Sequence, residues 1–193
     1  MSLRAEAYTE QRWLDVEQQA IFARTWQLVC HVSQLAAPNS YRAVSVAGSP
    51  IVVVRDADGA LRAFYNVCKH RGHELVQGDG SARALVCPYH AWSFSLDGHL
   101  KTARKTDHLP DFDRSSICLD GVRVEEFAGF IYVNLDASAE PLATQAGDLA
   151  AEIAHWAPDV NDLHHAHRLT FEVASNWKNV IDNFLECYHC HPS

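Results

Sequence analysis

Apolar residues recur along the chain with two different periods, and each change of period marks a change of structure. Near the N-terminus Trp13, Val16, Ala20, Ala23 and Trp26 follow one another at spacings of three and four, the repeat of a single helix face. Thr9 stands where its hydroxyl can cap that helix at Glu10. From Gln27 the pattern shortens to strand-like runs at 41–46, 51–54, 61–67, 84–86, 92–96, 99–101, 122–124 and 130–135. Asp58-Gly59 and Asp97-Gly98 separate neighbouring runs and predict hairpin turns. Short strands with turn signals at close intervals predict a small antiparallel β domain.

Helical spacing returns in a short segment at 148–156, stopped by Pro158. It returns again at 176–189, where Trp177, Val180, Ile181, Phe184, Leu185 and Tyr188 share a face. Between these helices 158–167 is polar and 169–173 is strand-like. The polar stretch 101–113 predicts a surface loop with no chemistry of its own, and 137–144 a linker. The expected fold is mainly β with flanking helices. An N-terminal helix spans 1–26, an antiparallel β domain 27–158, and the start of a further, α+β domain 159–193.

Composition narrows the function classes. The chain has 193 residues and is 48% hydrophobic, enough for one ordinary domain plus part of another. No run approaches the roughly 18 apolar residues of a membrane helix. The first ten residues lack the apolar core of a signal peptide, so a cytoplasmic protein without a membrane partner is expected. A net charge of −8 with no long basic run argues against nucleic acid, and suits a cationic substrate or a basic redox partner. The six cysteines, Cys30, Cys68, Cys87, Cys118, Cys187 and Cys190, are then expected reduced or metal-bound. Cys30 and Cys118 lie among apolar residues and read as core packing.

The densest chemistry lies in 68–90. Cys68-x-His70 is followed by sixteen residues and then Cys87-x-x-His90. Two thiolates and two imidazoles from two tight loops can hold one small metal centre. Zinc accepts such a set, usually with the cysteines in one loop and the histidines in the other. Here each loop gives one of each, a mixture that suits a [2Fe–2S] cluster with two cysteines on one iron and two histidines on the other. The spacing resembles the Rieske motif C-x-H-x16-C-x-x-H. Respiratory Rieske proteins add a disulfide between the loops, and the matching positions here are His73 and Tyr89. The stretch therefore resembles the lower-potential type found in oxygenases and their ferredoxins. Arg71, Gly72, Tyr89, Trp92 and Phe94 match ring-hydroxylating oxygenases, and Ala91 stands where many of those have glycine.

A second resemblance lies in 176–189, NWKNVIDNFLECYH. Glu186 and His189 are three apart on one helix face, a placement that can serve a metal. The stretch is similar to the helix that opens the catalytic domain of Rieske oxygenase large subunits, as "IFARTW" is similar to the end of their N-terminal helix. That resemblance implies His189 as the first histidine ligand of a mononuclear non-haem Fe(II). It implies Glu186 as a carboxylate bridging His189 to His70 or His90 of a neighbouring subunit. The second histidine would fall at position 194 and the third ligand, a carboxylate, further on, so these 193 residues alone are expected to be inactive. The family implies a mono- or dioxygenase that assembles as a homotrimer, fed with electrons from NAD(P)H through a flavin and iron–sulfur reductase or a ferredoxin, and acting with O2 on a small organic substrate. Glu186, where aromatic-ring enzymes often have aspartate, and the ECYHC and FAGF stretches are most similar to the branch that acts on quaternary ammonium compounds. Two other classes stay open: a stand-alone Rieske electron carrier, against which the helix 176–189 argues, and a structural zinc protein. The group His164, His165 and His167 reads as a solvated link.

Overall fold

The computed structural model describes residues 3–106 and 108–185. Two short helices open the chain, α1 (Glu6–Thr9) and α2 (Gln11–Glu17), and α2 runs into a single π-helical turn, Gln18–Phe22. Ten strands follow: β1 (Gln27–His31), β2 (Ser40–Val46), β3 (Ser49–Arg55), β4 (Leu61–Tyr65), β5 (Asp79–Ser81), β6 (Leu85–Val86), β7 (Ser93–Phe94), β8 (Leu100–Thr102), β9 (Gly121–Phe127) and β10 (Phe130–Asn134). Three helices close it, α3 (Leu142–Ala146), α4 (Leu149–Trp156) and α5 (Trp177–Leu185).

Seven strands form one antiparallel sheet in the order β1-β10-β9-β4-β3-β2-β5, and β6-β7-β8 form a second. The fold class is thus mainly β with flanking helices, as the short runs predict. β3 explains why its sequence is an unbroken β-branched run and does not alternate. Ile51 and Val53 enter one core cluster with Cys30, Leu35, Ile131 and Val133. Val52 and Val54 enter the other, with Phe64, Leu75, Leu85, Trp92 and Phe94. A central strand buried on both faces has no polar side to show. The second cluster also contains Cys68 and Cys87, so the loop cysteines are seated in the core between the two sheets.

Three expectations need correction. Thr9 does not cap a helix: it lies at the end of α1 and its hydroxyl donates to the Ala5 carbonyl. The N-terminal face that packs inward is not Trp13, Val16, Ala20. Trp13 and Val16 are exposed, and Leu14, Glu17, Gln18 and Phe22 turn inward in their place. The cause is a buried ion pair. Lys178 Nζ on α5 donates to both Glu17 oxygens at 2.6 and 2.8 Å, and Trp177 Nε1 donates to Glu17 Oε2 at 2.8 Å. Phe22 meets the Trp177 ring edge-on at 5.0 Å. A glutamate neutralised across 161 residues of sequence turns the helix by its polar side, against the hydrophobic pattern. Finally, 169–173 forms no strand. Leu169, Phe171 and Val173 are exposed, for the alternation finds no neighbouring strand among the described residues.

Candidate metal centre

The two ligand-bearing loops are wound alike. In the first, the Gly72 N–H donates to the Cys68 carbonyl at 2.9 Å and the Cys68 N–H to the His73 carbonyl at 2.8 Å. In the second, the Ala91 N–H donates to the Cys87 carbonyl at 3.0 Å and the Cys87 N–H to the Trp92 carbonyl at 2.8 Å. Each loop is closed four and five residues after its cysteine, and the closing residue has a left-handed backbone: φ is 69° at Gly72 and 56° at Ala91. Asn66 anchors the first loop from below. It is 1% exposed. Its Nδ2 donates to the Val76 carbonyl, and its Oδ1 accepts from the N–H groups of Leu75 and Val76.

The loops sort their side chains by depth. Cys68 and Cys87 are each 2% exposed, and both enter the same core cluster. His70 and His90 lie at the surface with ring centroids 4.8 Å apart. Burial pushes the Cys68 thiol above its ordinary value, against the opposing effect of the nearby N–H groups of His70 and Arg71. Desolvation, then His70 and Arg71, hold His90 below its ordinary value and so favour the neutral imidazole that binds metals. A buried thiol pair costs energy to ionise unless a metal supplies the compensating charge.

A sulfur pair beneath an imidazole pair offers two metal positions with two protein ligands each. One cysteine and one histidine from each loop, with the sulfurs buried and the imidazoles at the surface, suit a [2Fe–2S] cluster better than one tetrahedral zinc ion.

Beside the histidines lies an open cleft of about 930 Å³ lined by Tyr89, Trp92, Arg104, Lys105, Leu109 and Phe112. The stretch 101–113, expected to carry no chemistry, forms its far wall. Arg104 and Lys105 line the cleft, Arg71 lies near His90, and none of the three makes an ion pair among the described residues, so the rim is cationic on a chain of net charge −8. Neither the cleft wall nor Asn66 stood out in the sequence. The signal available for Asn66 was a lone amide in an apolar run two residues before Cys68.

The remaining candidates separate. Cys30 is a buried core residue and Cys118 is half-buried. His164 bonds the Asp162 carbonyl through Nδ1, and the His165 N–H donates to Ser33 Oγ, so that group is tied to local backbone and to the turn that follows β1. Glu186, Cys187, His189 and Cys190 lie outside the described residues. Among the described residues no helix is long and apolar enough to cross a membrane.

Two like-wound loops that bury a cysteine pair and display a histidine pair, set on a small antiparallel β structure, define a Rieske-type protein. The family model of the Rieske [2Fe-2S] domain matches residues 25–113, and that of the ring hydroxylating alpha subunit (catalytic domain) matches 160–193. The chain is 45% identical to the carnitine monooxygenase oxygenase subunit of Escherichia coli K12 over 193 residues, covering 100% of this chain and 52% of that one. It is 35% identical over 195 residues to the glycine betaine monooxygenase oxygenase subunit of Pseudomonas aeruginosa PAO1, covering 100% and 44%. The apo crystal structure of a quaternary ammonium Rieske monooxygenase superposes with a TM-score of 0.93 at 43% identity, covering 99% of this chain and 56% of that one. The chain belongs to the Rieske oxygenase large subunits: it carries their Rieske domain and the start of their catalytic domain. It spans about half the length of the curated relatives it matches. The family implies a [2Fe–2S] cluster and a non-haem iron.

Proposed function

We propose that the chain is the electron-receiving part of an oxygenase subunit that oxidises a quaternary ammonium compound of the carnitine or betaine type. The observation that carries the proposal is the depth-sorted ligand set, Cys68 and Cys87 in the core and His70 and His90 at the surface. Identity over the whole chain to oxygenase subunits named for carnitine and glycine betaine supports the substrate class. In this proposal 27–158 is the cluster domain and 159–193 opens the catalytic domain.

The four side chains divide the work. Cys68 and Cys87 would hold one iron in the dry interior, where the N–H groups near Cys68 spread its thiolate charge. His70 and His90 would hold the other and bring it to the surface, at the edge of the cleft. The cluster, when bound, accepts and gives one electron at a time. Trp92, stacked on His70 at 4.8 Å and 8°, shields that imidazole from water on one face. The cationic rim favours a donor reductase or neighbouring subunit that presents carboxylates. By resemblance Glu186 is such a carboxylate in a trimer, joining His189 to a histidine of the next copy, and His189 would bind the mononuclear iron where dioxygen is used.

Two experiments test this. Purified protein should contain two irons and two acid-labile sulfides per chain, and stoichiometric zinc without sulfide would refute the cluster. In the full-length protein, Glu186→Gln should keep both iron centres and cluster reduction yet nearly abolish product. Turnover at the wild-type rate would remove the bridging role.

A further inference from the structure

The matched winding of the two loops sets their residues in pairs. Counting from each cysteine, His70 corresponds to Tyr89, Arg71 to His90, and His73 to Trp92. The rings cross between the loops in the same sense. Trp92 of the second loop stacks on His70 of the first. His73 of the first loop meets Tyr89 of the second at 5.9 Å and 44°. Tyr89 in turn lies on His90, with centroids 3.8 Å apart at 32°. The two crossings differ in their support. Trp92 is 7% exposed and packs edge-on against Phe112, so the core holds it. Tyr89 is 56% exposed, and its ring contacts are with His73 and His90. His73 is itself held, its Nδ1 donating to the Glu74 carbonyl at 2.6 Å.

We propose that His73 and Tyr89 form a non-covalent clasp across the loop tips, and that Tyr89 is a positioning residue that sets the ring plane of His90. The core sets the plane of His70 through Trp92, whereas His90 depends on a contact made at the surface. An imidazole whose plane wanders changes its overlap with the iron and exposes the metal to water. The clasp therefore governs how long the histidine side of the cluster survives. The inference rests on the assignment of His90 to the cluster.

The test uses the full-length, cluster-loaded protein with Tyr89→Leu, Tyr89→Phe, His73→Ala and the double variant Tyr89→Leu/His73→Ala. Tyr89 and His73 are exposed, so folding should survive. Pulsed EPR of the reduced cluster reads the nitrogen couplings of the two imidazoles, and a chelator challenge reads the half-life of its absorbance. Tyr89→Leu should shift one coupling and shorten the half-life about fivefold, on the scale of a lost ring pair. Tyr89→Phe should match wild type in both. His73→Ala should shift the same coupling and add nothing in the Tyr89→Leu background. Wild-type couplings and half-life in Tyr89→Leu, with or without a lower melting temperature, would overturn the clasp, as would additive effects in the double variant. Wild-type protein without iron and sulfide would instead overturn the cluster assignment.

Discussion

The equivalence of Gly72 and Ala91 gives a matched pair of substitutions with opposite signs. Both residues close a loop by donating to the carbonyl of its cysteine, and both are left-handed, at φ 69° and 56°. An alanine in that region costs roughly 1–2 kcal/mol. Glycine escapes the strain but loses roughly 0.5–1 kcal/mol more backbone entropy on folding. Ala91→Gly should therefore stabilise by the difference, about 0.5–1 kcal/mol, or roughly 1–4 °C in melting temperature for a chain of this size. Gly72→Ala should destabilise by a similar amount. A Cβ added at Gly72 meets nothing within 4 Å, so no steric clash contaminates the conformational cost. Calorimetry of the cluster-loaded protein, with cluster absorbance followed in parallel, measures both. A lower melting temperature in Ala91→Gly, or none of the expected loss in Gly72→Ala, would refute the argument that backbone strain at the loop closure is stored in the second loop only.

The buried pair supplies a pH-dependent prediction. Lys178 holds the Glu17 carboxyl below its ordinary value, against the opposing effect of burial. A depressed folded value means that this stabilisation is complete above the unfolded value, about pH 4.3, and is lost as pH falls through the folded one. Glu17→Gln should cost about 3–5 kcal/mol at pH 7 by leaving Lys178 buried without a counter-charge, and the gap to wild type should close on acidification below about pH 4. A gap of constant size across that window in urea titrations would exclude the pair as its source. Asn66→Ala strands three backbone groups under the first loop and should cost about 2–3 kcal/mol, with faster loss of the cluster to a chelator than of secondary structure by circular dichroism. Simultaneous loss of both would deny Asn66 a local role. His70→Cys should lower the reduction potential, because an all-thiolate cluster sits near −400 mV and a histidine-ligated one between about −150 and +300 mV. An unchanged midpoint in voltammetry would deny His70 a place on the iron.

What could be read from the residues alone follows from how local each signal is. The spacing of Cys68, His70, Cys87 and His90 is a property of two tight turns, so the donor set was visible before any strand was placed. The β3 run and the Asp58-Gly59 and Asp97-Gly98 turns were equally local, and the antiparallel β class followed from them. Non-local partners were invisible. β1 and β5 went unexpected because Gln27–His31 and Asp79–Ser81 acquire strand character only by pairing with β10 and β2. The inward face of α2 is not legible in the hydrophobic pattern, because Glu17 is polar and its neutralising lysine lies 161 residues away.

The same distinction separates the two halves of the site. The ligands announce themselves by type and spacing, but the residues that orient them do not. Trp92 lies five residues after Cys87 and stacks on a histidine of the other loop; His73 lies five after Cys68 and reaches the other loop in return. Neither partnership follows from neighbours in sequence. It follows from two loops wound alike and set tip to tip, a relation visible only once the backbone hydrogen bonds are matched residue by residue. The asymmetry that matters for chemistry is equally hidden. The histidine sits two residues after the cysteine in one loop and three after it in the other. One imidazole therefore falls under a tryptophan held by the core, and the other beside a tyrosine held at the surface. Redox lifetime should be limited by the second, because a ring held only at the surface is the easier one to displace.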